Sequence, residues 1–145
     1  MTAVLLRHAW AGDRDAWNAD DRLRPLDERG RAQAEALRDA LLERGVTRVV
    51  SSPYVRCVET VDPLARALGV EVELDDRLAE GAGPGGAREL LARCEGCVAC
   101  THGDVVAQLI GRNLKKGAAA VVQVDGDEVR VVEKIKAPDA RRFDG

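Results

Sequence analysis

The sequence has few aromatic residues and few histidines among its 145 residues. Tyr and Phe occur once each and Trp twice, so aromatic residues make up only 3% of the chain. A core must therefore be built from Leu, Val and Ala, which belong to a hydrophobic fraction of 46%. Histidine occurs only at His8 and His102. Any chemistry that needs an imidazole must therefore use one of these two positions.

The sequence also lacks an excess of positive charge and a long apolar run. Its 22 Lys and Arg residues against 25 Asp and Glu give a formal net charge of −3, which disfavours a nucleic-acid partner. No apolar stretch approaches the roughly 18 residues of a membrane span, and no secretory signal precedes the first apolar run. These absences predict a cytoplasmic protein without a membrane partner. Its four cysteines are therefore expected to stay reduced.

Apolar runs alternate with amphipathic segments, which is typical of a fold in which strands and helices alternate. Strands are expected at 2–6, 48–51, 70–74 and 97–101, and helices at 25–45, 53–68, 87–94 and 104–113. The Asp125-Gly126-Asp127 turn predicts a hairpin of strands 118–124 and 128–135, followed by a polar tail from residue 137. We predict one domain over residues 1–145, a three-layer α/β/α sandwich with a mostly parallel central sheet and an antiparallel C-terminal hairpin.

Three of the predicted strands end in polar groups. Arg7 and His8 follow the first strand, Ser51-Ser52-Pro53 leads from the second to Arg56, and His102 follows the strand 97–101. Parallel strands present their carboxyl ends at one edge of a sheet, so we expect these groups to converge. The arginine fork matches two phosphate oxygens, and Arg56 falls at a helix N-terminus that already favours an anion. The pattern therefore predicts a phosphoryl-binding site.

Four segments at compatible spacing resemble the histidine phosphatase superfamily, in particular its short phosphohistidine phosphatase-like branch. They are Leu6-Arg7-His8-Ala9, Arg24-Pro25-Leu26-Asp27-Glu28-Arg29-Gly30-Arg31-Ala32-Gln33-Ala34, Ser51-Ser52-Pro53-Tyr54-Val55-Arg56-Cys57-Val58-Glu59-Thr60 and Thr101-His102-Gly103. The third segment resembles the superfamily's Ser-Pro-x-x-Arg-x-x-x-Thr block. The resemblance covers most of the chain, from residue 5 to about residue 109.

The resemblance implies a phosphatase that hydrolyses a phosphomonoester or phosphohistidine through a covalent phosphohistidine on His8. It implies that Arg7, Arg56 and His102 bind the phosphoryl oxygens. Glu80 matches the position at which many members carry an acidic proton donor, so it is the second candidate catalytic residue. No metal or other cofactor is implied. The partner would be a phosphorylated small molecule or a phosphohistidine protein, and the sequence carries no signal for an oligomeric state.

Two other interpretations remain open from the residues. The first is a catalytically weak phosphate-binding module on the same fold. The second is a zinc site at Cys94, Cys97, Cys100 and His102, since thiolates and imidazole are typical zinc ligands. Against zinc, Cys97 and Cys100 would point to opposite faces of the predicted strand. The acidic loop residues Asp13, Asp15, Asp20 and Asp21 could shape substrate entry but are more typical of a solvated loop.

Overall fold

Strands and helices alternate through most of the computed structural model, which describes residues 2–139. The strands are β1 (Ala3–Arg7), β2 (Arg48–Ser51), β3 (Val72–Leu74), β4 (Cys97–Thr101), β5 (Ala119–Asp125) and β6 (Glu128–Ile135). The α-helices are α1 (Glu28–Leu42), α2 (Val55–Leu68), α3 (Pro84–Ala92) and α4 (Gly103–Ile110), and short 3-10 turns occur at Arg14–Ala16, Asp21–Leu23 and Asp76–Leu78. Residues 140–145 of the predicted polar tail lie outside the described residues.

The six strands form one sheet in the order β3-β2-β4-β1-β5-β6. The first four strands of this order pair in parallel, whereas β5 pairs antiparallel with β1 and with β6. Helices α1 and α2 pack on one face, where Leu6 contributes to their core, and α3 and α4 pack on the other with Leu5. The predicted three-layer sandwich with its C-terminal hairpin is confirmed.

Some helix boundaries follow local signals that the sequence carries, whereas α1 and α4 each end three residues before the predicted end, at Leu42 and Ile110. The Asp27 side chain accepts a 2.8 Å hydrogen bond from the Gly30 N–H and so caps α1, and Gly69 ends α2 in the left-handed conformation. Helix α3 instead begins at Pro84, three residues earlier than predicted. Gly85 and Gly86 hide this start because glycine is a poor helix former. A Cβ at position 86 would lie 2.8 Å from Arg77 Cγ, so the packing there requires glycine.

The expectation of four reduced cysteines is wrong for two of them. Cys94 and Cys97 form a disulfide, while Cys57 and Cys100 are free and buried. The two bonded residues flank a tight turn in which Gly96 has a φ of 71°, and this turn brings their Cα atoms to 5.5 Å. The expectation rested on compartment alone, which says nothing about how closely a local turn places two thiols.

None of the helices within residues 2–139 combines the length and the apolar content needed to cross a lipid bilayer.

Candidate active site

The carboxyl ends of β1, β4 and β2 are adjacent because these strands are parallel neighbours at the centre of the sheet. They bring His8 and His102 together, with 5.5 Å between the ring centroids in an edge-on arrangement. A cavity of about 310 Å³ opens here. It is lined by Arg7, His8, Ala11, Gly12, Arg14, Arg24, Glu80, Gly103, Asp104, Asn113 and Lys116. Arg56 and His102 are at most 1% exposed and do not line the cavity.

His8 is 6% exposed and has a fixed ring orientation. Its Nδ1 lies 2.8 Å from the Ala9 carbonyl oxygen, an acceptor, so Nδ1 carries the proton and Nε2 keeps a lone pair. Burial lowers the pKa of His8 to about 3, with a smaller contribution from repulsion by His102. The imidazole is therefore neutral at physiological pH, which is the form that can act as a nucleophile.

Thr60 fixes the chain next to His8. Its Oγ1 accepts a 3.0 Å hydrogen bond from the Ala9 N–H and donates a 2.7 Å hydrogen bond to the Arg56 carbonyl oxygen. The residue after His8 is thereby tied to the first turn of α2. Thr60 lies in one of the four segments that resemble the family, but the sequence does not predict this contact.

Arg7 reaches from the end of β1 to the N-terminus of α4. Its Nη1 donates a 2.7 Å hydrogen bond to the Leu114 carbonyl oxygen, and burial lowers its pKa while leaving it a cation. The guanidinium packs so closely on Gly103 that a Cβ there would lie 2.9 Å from Arg7 Cζ. Position 103 must be glycine for Arg7 to hold this orientation.

His102 is oriented by groups from the start of α2. Its Nε2 lies 2.9 Å from Ser52 Oγ and 3.6 Å from Cys57 Sγ, and its ring meets the Tyr54 ring edge-on. Ser52 Oγ accepts the Tyr54 N–H, so its own proton is free to go to His102 Nε2. The ring proton of a neutral His102 then lies on Nδ1.

Cys57 is a buried group of this site that the sequence analysis missed. Burial would raise the pKa of its thiol, but a hydrogen bond with Cys100 and the positive charge of Arg56 act in the opposite direction, and the pKa lies below that of a free thiol. No sequence signal marks Cys57 or the contacts of Ser52 and Tyr54, because these contacts depend on how α2 packs against β4.

Arg56 is fully buried and binds two carboxylates. Its Nη1 donates to the Asp21 carbonyl oxygen at 2.8 Å, and its Nη2 lies 3.0 Å from Asp21 Oδ2 and 3.5 Å from Glu80 Oε1. Glu80 Oε1 also accepts from Arg14 Nη2 at 2.7 Å. The predicted proton donor therefore lies between two arginines at the rim of the cavity.

Asp21 has a larger part in the site than its acidic loop suggested. Burial would raise its pKa, but a 3.0 Å hydrogen bond from Arg24 and the charge of Arg56 hold it below its usual value. An acidic residue in a polar run is normally solvated, so its sequence neighbours give no sign of these two arginines. Asp21 is therefore a residue that the sequence analysis undervalued.

Three buried side-chain nitrogens in the described part of the chain have no hydrogen-bond partner. They are Arg7 Nε, Arg56 Nε and His102 Nδ1. Buried polar groups are nearly always paired, so an unpaired one calls for an explanation such as a ligand. All three belong to the residues that the sequence predicted to bind phosphate.

The alternative zinc site does not form. Cys94 and Cys97 are joined to each other, and Cys97 and Cys100 lie in the cores on opposite faces of the sheet. Across residues 2–139, no three or more His, Cys, Asp or Glu side chains group in a way that could hold a metal ion.

Comparison with known proteins defines the class to which the chain belongs. The family model of the histidine phosphatase superfamily (branch 1) matches residues 4–84, more than half of the sequence. The chain is therefore a member of the histidine phosphatase superfamily. It is 33% identical over 159 residues to an 8-oxo-(d)GTP phosphatase of Mycolicibacterium smegmatis, a match that covers 97% of this chain and 49% of that protein. The chain thus spans about half the length of this relative.

Solved structures show the same fold at low sequence identity. The protein histidine phosphatase SixA, complexed with tungstate, superimposes with a TM-score of 0.77 at 21% identity and covers 94% of this chain and 97% of that one. A mycobacterial glucosyl-3-phosphoglycerate phosphatase, complexed with VO3, gives a TM-score of 0.70 at 18% identity over 95% and 99% of the two chains. These likenesses establish the fold.

Proposed function

We propose that this protein is a metal-independent phosphatase that hydrolyses a phosphomonoester or phosphohistidine through a phosphohistidine intermediate on His8. The observation that carries the proposal is that the cavity is lined by His8, with its Nδ1 held on the Ala9 carbonyl, and by Arg7, a cation whose buried Nε has no hydrogen-bond partner. A phosphoryl group presents oxygens that accept from such donors, and preorganised donors stabilise the charge that spreads over these oxygens in the transition state.

In the first step, His8 Nε2 attacks phosphorus and the bond from phosphorus to the leaving group breaks. A neutral imidazole with its Nδ1 proton on the Ala9 carbonyl supplies the lone pair. The electron pair of the broken bond stays on the leaving oxygen, which takes a proton from Glu80. Because both arginines contact Oε1 of Glu80, we assign Oε2 to this proton transfer.

In the second step, water attacks the phosphorus of phosphohistidine and the P–N bond breaks. Glu80, now a carboxylate, takes a proton from the water, and the electron pair of the P–N bond returns to His8 Nε2. Inorganic phosphate leaves the cavity, which is open to solvent beside Glu80. The enzyme returns to its starting protonation state.

The substrate side of the proposal draws on the relatives as well as on the site. One relative is an 8-oxo-(d)GTP phosphatase and one fold neighbour is a protein histidine phosphatase, so both a phosphorylated small molecule and a phosphohistidine protein fit the class. The extent of the domain over residues 1–145 and the cytoplasmic location stay predictions from the sequence.

The proposal is tested by aryl phosphate hydrolysis with and without a strong chelator, followed by mass analysis of the protein after rapid quenching at alkaline pH. We expect turnover that resists the chelator and a protein that gains one phosphoryl group. Loss of turnover on chelation would contradict the metal-independent mechanism. Absence of turnover together with tight orthophosphate binding would favour the phosphate-binding module instead.

Glu80→Gln is expected to slow hydrolysis of alkyl phosphates much more than hydrolysis of phosphoramidates. An alkoxide is a poor leaving group that needs a proton, and general acid catalysis contributes about 10²–10⁴-fold to such a step. The measurement is kcat/KM for both substrates. Glu71→Gln, an exposed glutamate away from the cavity, is the control and should change neither value. Equal losses on both substrates would remove Glu80 from the acid role.

Gly103→Ala is expected to weaken orthophosphate or tungstate inhibition about tenfold, because the new Cβ would lie 2.9 Å from both Arg7 Cζ and Asn113 Nδ2 and would displace the guanidinium that makes a charge-assisted hydrogen bond. The clash involves the end of a flexible side chain, so the melting temperature should change little. Gly85→Ala, a helical glycine with open space around its Cβ position, is the matched control. Unchanged inhibition in Gly103→Ala would contradict a role in anion binding for the Arg7 orientation that Gly103 permits.

The ring signals of His8 are expected to stay constant between about pH 8 and pH 5 in an NMR titration. An unperturbed histidine has its pKa near 6.5, whereas burial lowers that of His8 to about 3, so the neutral ring is lost only as pH falls through that lower value. With two histidines in the chain, His8→Asn assigns the signals. A midpoint near 6.5 for His8 would contradict this geometry.

A further inference from the structure

A second, larger cavity adjoins the candidate active site. Its volume is about 990 Å³, and it shares Arg7, Asn113 and Lys116 with the smaller cavity. Helix α1, the segment that follows α4 and the end of β6 form its walls. We call it the basic groove, because its described lining includes the cations Arg7, Arg29, Lys115, Lys116, Lys134 and Lys136.

The charge of the basic groove differs from that of the whole chain. Six cationic side chains face one carboxylate, that of Asp139, among the described residues that line it, whereas the chain carries a net charge of −3. Burial and repulsion from Arg7 lower the pKa of Lys116, which shows how closely these charges are placed. A concave surface that carries charges of one sign attracts a ligand of the opposite charge. The groove therefore suits an anion.

The wall of the basic groove is held in place by buried contacts. The Trp10 ring lies between Arg29 Cζ at 4.2 Å and Lys116 Nζ at 4.3 Å. Gln33, which is 2% exposed, accepts the Trp10 N–H through Oε1 and donates from Nε2 to the carbonyl oxygens of Lys116 and Pro138. One buried amide thus joins three segments of the wall.

The position of Trp10 also depends on one glycine of α1. A Cβ at position 30 would collide with the Trp10 carbonyl oxygen, which accepts the Asp27 N–H at 3.1 Å. Helix α1 can therefore lie against Trp10 only because residue 30 is glycine. The packing of α1 against Trp10 therefore positions the neighbouring cations Arg29 and Lys116 without the help of a ligand.

We propose that the basic groove binds a second phosphate group of a small-molecule substrate whose first phosphate reacts at His8. This rests on the proposed phosphatase function, because the two cavities share Arg7 and Lys116. A small molecule is favoured over a protein surface because concave cavities of a few hundred to about 1,000 Å³ are typical of small-ligand sites. The groove would thus select substrates by a phosphate that is not hydrolysed.

The first test compares alkanediol bisphosphates with the matching hydroxyalkyl monophosphates, which differ only in the second phosphate. We expect the wild type to prefer the bisphosphate at least about tenfold in kcat/KM, with a dependence on chain length. Added salt should reduce the preference, because it screens exposed charges. Equal kcat/KM values for the two members of each pair would overturn the proposal.

The same ratio is then measured in Lys134→Gln/Lys136→Gln, which removes two exposed cations from the groove. We expect the preference for the bisphosphate to disappear. The control is Arg66→Gln/Arg93→Gln, which removes the same charge from side chains that are 81% and 80% exposed, one on α2 and one directly after α3. This control variant should keep the preference. An unchanged ratio in the groove variant, or an equal drop in both variants, would overturn the proposal.

A binding measurement separates this proposal from the phosphatase function. In a Trp17→Phe background, Trp10 is the single tryptophan and reports on the groove. We expect the bisphosphate to change its fluorescence at a lower concentration than the monophosphate, whether or not either compound is turned over. If the protein hydrolyses aryl phosphate but binds the bisphosphate and the monophosphate equally well, the proposal for the basic groove fails and the proposed phosphatase function stands. An acidic peptide that competes as well as the bisphosphate would overturn the small-molecule assignment.

Discussion

His8→Ala is expected to abolish phosphatase turnover, with a loss of at least about 10⁴-fold in kcat. The fixed Nδ1–H to Ala9 carbonyl contact leaves one ring nitrogen to attack phosphorus, and alanine removes it without disturbing the neighbouring Thr60 contact, which uses backbone atoms of residue 9. The measurement is aryl phosphate hydrolysis under saturating substrate, together with the protein mass after rapid quenching. No phosphorylated protein should form.

Three controls test whether the loss of turnover in His8→Ala comes from the missing nucleophile rather than from impaired binding or folding. Orthophosphate should still bind, because the unpaired nitrogens belong to Arg7, Arg56 and His102. The melting temperature shows whether the variant is folded. Free imidazole, added at high concentration, should restore part of the turnover by entering the space of the lost ring. Retained activity above a few per cent without imidazole would contradict the role of His8.

Arg56→Ala is expected to lower kcat/KM by an amount that corresponds to a loss of about 2–4 kcal/mol in transition-state stabilisation. It is also expected to reduce the free energy of unfolding by about 3 kcal/mol. The first effect follows from the loss of a donor to the phosphoryl oxygens. The second follows because Arg56 is fully buried and holds both the backbone and the carboxylate of Asp21. Both quantities are measured, by steady-state kinetics and by urea unfolding.

Helix α2 offers a matched control for Arg56. Arg66 lies on the same helix, is 81% exposed and pairs with Asp62 at 2.8 Å, so Arg66→Ala should change either quantity by less than about 0.5 kcal/mol. Arg56→Lys keeps the charge but loses the planar fork, and it should fall between wild type and alanine. A change in kcat/KM under about tenfold in both Arg56 variants would mean that this arginine is structural.

The parts of the site that could be predicted from sequence are those that follow strands. Arg7, His8 and His102 come directly after apolar runs, and parallel strands bring such residues to one edge. Asp21 could not be predicted in this way, since its contact with Arg56 joins two segments 35 residues apart. Ser52 and Cys57 lie in the segment that resembles the Ser-Pro-x-x-Arg-x-x-x-Thr block, but their contacts with His102 arise only when α2 packs beside β4.

The fold was predictable where local signals agree with packing. Asp27 and Gly69 mark helix ends with side-chain and backbone features that act within a few residues. The start of α3 was not predicted, because glycine at position 86 is required by its packing against Arg77 and is a poor helix former. The Cys94–Cys97 bond was not predicted, because the expected compartment gives no information on the turn that brings the two thiols together. In the first case packing against Arg77 outweighs local helix propensity, and in the second a local turn brings the two thiols together.

The strand order places part of the basic groove at the edge of the sheet, away from the residues proposed for chemistry. The residues proposed for chemistry come from the central strands β1 and β4, the helices that follow β2 and β4, and the Glu80 loop, whereas Lys134 and Lys136 belong to the edge strand β6 and the residues just after it. An edge strand has one sheet neighbour and tolerates substitution better than a central one. Under the two proposals above, substitutions on β6 are therefore expected to change which phosphorylated compound is preferred while the reacting groups stay in place.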